Sequence, residues 1–231
     1  MTLTNDLRPP RILTLDIETS PNVADVWGLW QQNVSINQLR ESSRVLCFAA
    51  KWYDKKKVEF FSEHHDTREV MIEAAWVMLD ECDILVTYNG PAFDVKHLQR
   101  EFILAGFTPP SPFKNVDLLK VAKSQFKFPS NKLDYVAQAL GVGKKVKHAG
   151  HELWTACLNG DEKAWDQMRK YNVQDVRLTE QVYDRLGSWI KTHPNFGVWV
   201  GDDVCPRCSS TNLSDHGVHV VGLLSYQRLC C

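Results

Sequence analysis

Long apolar runs are absent from this sequence of 231 residues. No stretch reaches the roughly 18 consecutive apolar residues that a membrane-spanning helix requires, and the first residues lack the apolar core and cleavage site of a secretory signal. Internal repeats and low-complexity segments are also missing, which argues against a solenoid or a disordered chain. We therefore expect a soluble, cytoplasmic protein that has no membrane partner.

Cysteine is scarce outside the C-terminal region. Of the seven cysteines, Cys47, Cys82 and Cys157 stand singly in apolar stretches, where a buried free thiol is the ordinary explanation. Only the cysteines after residue 204 have a spacing that is typical of metal ligands.

Positive and negative charges nearly cancel over the whole chain, but they are unevenly distributed. The net charge is −1, yet residues 114–147 hold eight lysines against two aspartates and so carry +6, which leaves −7 for the rest. Such a segment either follows a phosphate backbone beside an acidic site or forms a solvated face, and the sequence leaves both interpretations open. The roles of the nearby His148 and His151 are open as well.

The order of predicted elements indicates an α/β fold with a mixed sheet flanked by helices. With 44% apolar residues, the chain can bury one core and carry a small appendage. Strands are predicted at 11–15, 23–30, 44–53, 58–61 and 84–88, the first four of which are able to pair. Helices are predicted at 67–79, 92–105, 116–126, 133–140 and 161–190. Thr67 is the expected N-cap of the first helix.

Four acidic residues occupy positions that such a fold would bring to one pocket. Asp16 and Glu18 are two apart in a predicted strand, so their side chains project from the same face. Asp94 leads a helix after a buried strand, where open α/β sheets bind ligands. Tyr171 and Asp175 are four apart on a predicted helix and share its face. Because carboxylates suit Mg²⁺ or Mn²⁺, and two such ions activate water and stabilise a leaving oxyanion, the pattern predicts metal-dependent hydrolysis of nucleic acid.

Three segments together resemble the motifs of a known enzyme superfamily. LDIETSP, YNGPAFDVKHL and YNVQD are similar to the three exonuclease motifs of the DEDD superfamily, the DnaQ-like 3′→5′ exonucleases of ribonuclease H-like fold, over about residues 11–190. The stretch NKLDYVAQALGVGKK, at 131–145, resembles a segment of the proofreading domains of family B DNA polymerases. Position 171 is tyrosine and position 170 is lysine, which resembles the DEDDy branch.

The resemblance implies roles for individual residues. Asp16, Glu18 and Asp175 would bind the ion that activates water, Asp16 would bridge to a second ion, and Asp94 would support that second ion. Tyr171 would position the attacking water.

The resemblance also implies a substrate and a reaction. Thr19, Asn89 and Phe93 would hold the terminal nucleotide of a single strand, and Phe93 would stack on a base. Residues 1–195 would form a 3′→5′ exonuclease domain that releases nucleoside 5′-monophosphates, with DNA favoured over RNA. Two alternatives stay open: a catalytically silent module that binds nucleic acid or assists assembly, and an endonuclease on the same scaffold.

A zinc-ribbon-like segment is expected over residues 196–231. Cys205 and Cys208 form a C-P-x-C knuckle, which resembles one half of a zinc ribbon, and Cys231 would supply a third thiolate for Zn²⁺. In ribbons with this pattern Tyr226 would align with Cys231, which places the expected fourth cysteine beyond the last residue and predicts truncation of a longer protein.

Other ways of completing the zinc site stay open. Cys230 and Cys231 could both ligate, or His216 or His219 could complete a Cys₃His set. Such a ribbon would contact nucleic acid or protein and take no part in hydrolysis, because its ligands leave zinc no open position.

Overall fold

A five-stranded mixed sheet forms the centre of the protein, in a computed structural model that describes residues 8–31, 33–147, 149–201 and 204–231. The strands are β1 (Ile12–Thr19), β2 (Val23–Ala24), β3 (Leu39–Glu41), β4 (Val45–Trp52), β5 (Glu59–Ser62), β6 (Ile84–Thr87), β7 (Lys114–Asp117), β8 (Ser214–Val221) and β9 (Leu224–Cys230). The helices are α1 (Arg68–Glu81), α2 (Asp94–Leu104), α3 (Leu118–Gln125), α4 (Leu133–Ala139), α5 (His151–Leu158), α6 (Glu162–Leu186) and α7 (Gly197–Val200).

The strands of the central sheet run in the order β5, β4, β1, β6, β7. β1 pairs antiparallel with β4 and parallel with β6, and β6 pairs parallel with β7. The expected α/β class with a mixed sheet flanked by helices is therefore confirmed. β1 lies at the middle of the sheet, so residues near its end are enclosed from both sides.

Helices cover both faces of this sheet, and the strand period decides which residues of β1 meet them. Leu13, Leu15 and Ile17 are buried in a core that includes α1 and α2. Ile12 belongs to the core on the opposite face, with α3, α4 and α6. Even-numbered positions of β1 therefore face the long helix α6.

Several boundaries agree with the sequence pattern and others correct it. The Thr67 side chain accepts the Val70 N–H and caps α1 as expected. The strand expected over 23–30 is wrong, because only β2 forms there and it pairs with β3 in a separate two-stranded sheet. Trp27 is 97% exposed, so its β propensity finds no packing surface.

Two elements in the middle of the chain were not expected. The helix predicted over 116–126 begins at Leu118, because the preceding residues form the edge strand β7. The Asp117 side chain, at the junction, accepts the Leu119 N–H and caps α3. α5 occupies 151–158 with exposed His151 at its start, and His148 lies outside the described residues.

The last residues form a separate two-stranded ribbon of β8 and β9, whose residues are all exposed. This β ribbon after a cysteine knuckle agrees with the expected C-terminal element, while the division into domains at residue 195 stays a prediction. None of the helices in the described ranges combines the length and apolarity needed to cross a membrane.

Candidate active site

The middle strand of the sheet carries two of the acidic residues. Asp16 and Glu18 lie opposite Ala49 and Cys47 of β4, two positions apart on the face that α6 covers. The pairing register shifts between Glu18 and the next residue, where β1 approaches its end. Both carboxylates therefore sit near the end of a central strand and under a helix, where they are half-buried.

α6 brings the third carboxylate to the same place. Asp175 is 2% exposed and Tyr171 is 8% exposed, one turn apart on the face of α6 that meets the sheet. Carboxylate oxygens of Asp16, Glu18 and Asp175 all lie within 4.8 Å of one another. Oxygen ligands at this separation suit a divalent cation such as Mg²⁺ or Mn²⁺.

Asp94 joins this group from the other side of the strand end. It is the first residue of α2 and is 5% exposed, and its Oδ1 accepts the Ile17 N–H at 3.1 Å. That bond ties the start of α2 to β1 between the two strand carboxylates. Asp94 thus lies beside the group, whose closest members are Asp16, Glu18 and Asp175.

Ionisation of all four carboxyl groups in this pocket is electrostatically unfavourable. Burial raises the pKa of Asp16 well above its usual range, and the charges of Asp94, Glu18 and Asp175 raise it further. Burial and the charge of Asp175 raise the pKa of Glu18 to about 8. Burial raises the pKa of Asp94 to about 6, despite the Ile17 N–H bond. Divalent cations would relieve this excess negative charge, so the donor set fits them.

Lys145 supplies the positive charge that is present. Its Nζ donates to Asp175 Oδ2 at 2.5 Å and to the Tyr171 hydroxyl at 3.1 Å. Burial lowers the pKa of Lys145, but attraction to Asp175 and Tyr171 and the two hydrogen bonds outweigh it and raise the pKa overall. The sequence placed Lys145 in a basic segment without distinguishing it from seven other lysines. Its position can be recognised only from the folded structure.

Asn172 also belongs to the site and was missed. Its amide nitrogen donates to Asp16 Oδ2 at 2.6 Å and to the Asp16 carbonyl oxygen at 3.1 Å. Asn172 directly follows Tyr171, so its side chain points about 100° away from that of Tyr171 around the helix. The four-residue spacing that indicated Tyr171 and Asp175 therefore gave no signal for Asn172. These bonds orient the Asp16 carboxylate and join α6 to β1.

The three expected substrate residues surround the same strand ends. Thr19 is the last residue of β1, and Asn89 takes a φ of 77° in the turn before α2. The Asn89 N–H donates to Asp117 Oδ1 at 2.9 Å, which holds this turn against the end of β7. Phe93 is 40% exposed, and its ring centroid lies 4.6 Å from that of His97. An exposed aromatic ring next to buried carboxylates is available for stacking.

A cavity of about 600 Å³ opens beside the carboxylates. Asp16 and Lys145 line it on the acidic side, and Tyr88 and Leu119 contribute apolar surface. Lys123 and Lys132 belong to the basic segment and also line the cavity, together with Asn131, Leu133 and Asp134. The structure therefore brings part of the lysine-rich segment next to the acidic site.

The C-terminal cysteines gather at a second place. Sulphur atoms of Cys205, Cys208 and Cys231 lie within 4.8 Å of one another, and Cys208 and Cys231 are 3.9 Å apart. Two sulphurs bound to one tetrahedral zinc ion at about 2.3 Å would be separated by about 3.8 Å, so the three thiols are compatible with zinc.

The other residues considered as zinc ligands lie outside this group. The Cys230 thiol donates to the Cys231 carbonyl oxygen at 3.7 Å. His216 and His219 lie on β8 and are not members of the cysteine group found in the described part of the chain.

Comparison with known proteins gives matches of two kinds, to a family model and to solved structures. A sequence model of the RNase_H superfamily matches residues 37–187, a range that contains Asp94, Tyr171 and Asp175 and begins after β1. Among solved structures, the chain is similar to the family B DNA polymerase from the hyperthermophilic archaeon Pyrobaculum calidifontis, with a TM-score of 0.59 and 24% sequence identity. That similarity covers 78% of this chain and 25% of the polymerase chain, and it concerns the fold. No curated protein matches.

Proposed function

The chain belongs to the RNase_H superfamily, and from this premise we propose that it is a metal-dependent 3′→5′ exonuclease of the DEDDy type. The observation that carries the proposal is the gathering of Asp16, Glu18 and Asp175 within 4.8 Å, with Tyr171 one helical turn from Asp175. The substrate is the 3′ end of a single strand, DNA being favoured over RNA, and the products are nucleoside 5′-monophosphates.

Asp16, Glu18 and Asp175 would hold one Mg²⁺ or Mn²⁺, and Asp94 with Asp16 would hold a second. Two such ions generate a nucleophile from water and stabilise the oxygen that leaves the phosphodiester. Asn172 keeps the Asp16 carboxylate in place through its bond to Oδ2 at 2.6 Å. Two further side chains of the site orient the reactants.

Tyr171 and Lys145 perform that orientation. Burial, followed by the charges of Asp175 and Glu18, raises the pKa of the Tyr171 hydroxyl, which therefore stays protonated at neutral pH. A protonated phenol positions a water molecule by hydrogen bonding and does not remove its proton. Lys145 holds the phenol and Asp175 together and provides a positive charge close to where negative charge develops on phosphate.

The cavity beside Asp16 receives the strand. Lys123 and Lys132 supply positive charge for the phosphate backbone, and Tyr88 and Leu119 provide apolar surface for a base or sugar. Thr19, Asn89 and Phe93 would hold the terminal nucleotide. A channel of this kind contacts the backbone and base faces and does not read base sequence.

We also propose that Cys205, Cys208 and Cys231 bind Zn²⁺ in a structural site. The 3.9 Å separation of two of the sulphurs supports this assignment. The Zn²⁺ would hold the end of β9 against the knuckle and would not contact the phosphodiester.

The test is degradation of a 5′-labelled single-stranded DNA and of the RNA of the same sequence, with Mg²⁺, with Mn²⁺ and with EDTA. Asp175→Asn removes a buried carboxylate, while Asp166→Asn makes the same change at an exposed position of the same helix and serves as the matched control. We expect a ladder that shortens from the 3′ end in the wild type and in the control, and no cleavage in Asp175→Asn or with EDTA.

Three outcomes would change the assignment. Cleavage by Asp175→Asn at the wild-type rate would contradict the metal site. Cleavage of a circular single strand would identify an endonuclease on the same scaffold. Binding of both strands without cleavage, by a chain that binds Mn²⁺, would identify a silent binding module.

A further inference from the structure

We propose that His64, His65 and Glu162 form a binding site for a first-row transition metal ion, with Zn²⁺ as the reference ion. One ring nitrogen of each histidine and one carboxylate oxygen of Glu162 lie within 4.8 Å of one another. The site joins the turn after β5 to the first residue of α6. It is separate in sequence and composition from both the carboxylate group and the cysteine group, and it does not depend on the proposed nuclease function.

Neighbouring side chains hold the two imidazole rings in place. The His64 ring stacks on the Trp165 indole, with centroids 5.1 Å apart and planes 8° from parallel. His65 Nδ1 lies 2.8 Å from Ser62 Oγ, which also accepts the His65 backbone N–H at 3.0 Å. A hydrogen bond at one ring nitrogen sets the orientation of a ligating histidine and favours a single tautomer. Both rings are therefore oriented before any ion binds.

The donor set determines which ion the site would take. Two imidazoles and one carboxylate are the ligands of zinc and of neighbouring divalent transition metals, whereas Mg²⁺ and Ca²⁺ prefer oxygen alone. His64 Nε2 lies 3.0 Å from Glu162 Oε1, close to the separation of about 3.4 Å that tetrahedral zinc imposes on its nitrogen and oxygen ligands. A small rotation of the exposed Glu162 side chain would make room for the ion.

The position of the site at the start of α6 explains why a cation there needs the Glu162 carboxylate. The N-terminus of a helix carries partial positive charge, which opposes a cation and favours an acidic side chain. Glu162 lies in the first turn of α6 and offsets that charge. Its side chain is 76% exposed, so water can complete the coordination of the ion.

The site would act as a clamp on the helix that carries Tyr171 and Asp175. Because one ligand comes from α6 and two come from the turn after β5, a bound ion would restrain the start of that helix against the sheet edge. Binding to the folded chain alone would raise the free energy of unfolding, and above the dissociation constant this increase would follow the logarithm of the ion concentration.

Zn²⁺ titration by isothermal calorimetry tests the proposal on the full chain, since wild type and variants keep the carboxylate and cysteine groups in common. His65→Gln removes one ligand and leaves the His64 stack on Trp165 intact, and His151→Gln is the control at an exposed histidine outside the site. We expect His65→Gln to lose one bound Zn²⁺ per chain, or to bind that ion at least tenfold more weakly, while His151→Gln matches the wild type.

Glu162→Gln provides an independent variant, because glutamine keeps the size of the side chain and removes its charge. It too should weaken the same binding event at least tenfold, and circular dichroism without metal shows whether each variant is folded. Equal stoichiometry and affinity in wild type, His65→Gln and Glu162→Gln would overturn the proposal and leave the contacts as hydrogen bonding and stacking only.

Discussion

Replacing Glu18 with glutamine should stabilise the metal-free protein at neutral to alkaline pH while it weakens metal binding. The substitution keeps the shape of the side chain and removes one negative charge from the buried carboxylate group. In the fold, burial, with the charges of Asp175 and Asp94, opposes ionisation of Glu18, and the charge of Lys145 favours it. Glutamine carries no such electrostatic cost.

The size of the effect follows from the pKa of Glu18. That pKa is about 8 in the fold and 4.5 in the unfolded reference, and a difference of one pKa unit corresponds to about 1.4 kcal/mol. Ionisation of Glu18 therefore costs the folded state at most about 5 kcal/mol relative to the unfolded chain. Glu18 is partly exposed to water, and Lys145 can move towards it, so we expect ~2–3 kcal/mol.

Because the pKa of Glu18 is raised in the fold, the pH determines how much Glu18→Gln changes the free energy of unfolding. Below pH 4.5 the carboxyl is protonated in both the folded and the unfolded chain and costs nothing. As the pH rises from 4.5 to about 8 the unfolded chain ionises first, so this group lowers the free energy of unfolding progressively, and the loss is complete above that range. Glu18→Gln removes this loss, so the variant and the wild type should have similar stability at low pH and diverge as the pH rises.

Urea unfolding in EDTA, at a series of pH values across this window, measures the difference. Asp166→Asn is the control, since it makes the corresponding change on the exposed surface of α6. A difference between Glu18→Gln and wild type that does not change with pH, or a variant less stable than wild type near pH 8, would refute the electrostatic argument.

Three further outcomes follow from individual contacts. Tyr171→Phe should slow single-turnover hydrolysis by about 10²-fold and leave Mn²⁺ affinity unchanged, because it removes water positioning and no carboxylate; a wild-type rate would exclude that role. Lys51→Met should lower the free energy of unfolding by about 2 kcal/mol, since it leaves the half-buried Glu180 without the partner that now lies 2.6 Å away, and adding Glu180→Leu should recover most of the loss in urea unfolding. Asp161→Ala should cost about 1 kcal/mol in thermal unfolding, because the Asp161 side chain accepts the N–H groups of Lys163 and Ala164 at the start of α6; no change would show that the cap contributes nothing.

The sequence was most informative where a periodic pattern coincides with a buried face. The period of two in β1 predicts that Asp16 and Glu18 face the same way, and the long apolar stripe predicts α6 to within a few residues of its ends. Thr67 could be identified as an N-cap because hydroxyl side chains at that position accept a backbone N–H of the first turn. In each case a local rule and the tertiary packing agree.

The remaining elements depend on contacts that the local sequence does not encode. β7 has only four residues, and its first two, Lys114 and Asn115, are polar and exposed because it is an edge strand. Segment 23–30 has strand-forming residues, but only its first two pair, with β3 in a separate two-stranded sheet, so propensity alone misassigned the rest. Lys145 could not be singled out from the other lysines, because its partners Asp175 and Tyr171 are 26 or more positions away.

The sequence separation within the site has a consequence for the newly synthesised chain. Asp16 and Asn172 are joined by a 2.6 Å bond although 156 positions separate them. Because translation releases the N-terminal residues first, β1 with Asp16 and Glu18 leaves the ribosome long before α6 exists. Until α6 docks, Asp175 and Tyr171 are absent from the site. The carboxylates of Asp16 and Glu18 then remain hydrated, and Asp175 does not repel them. A nascent chain that still lacks α6 therefore has no assembled centre, and the close approach of the three carboxylates arises only when α6 docks.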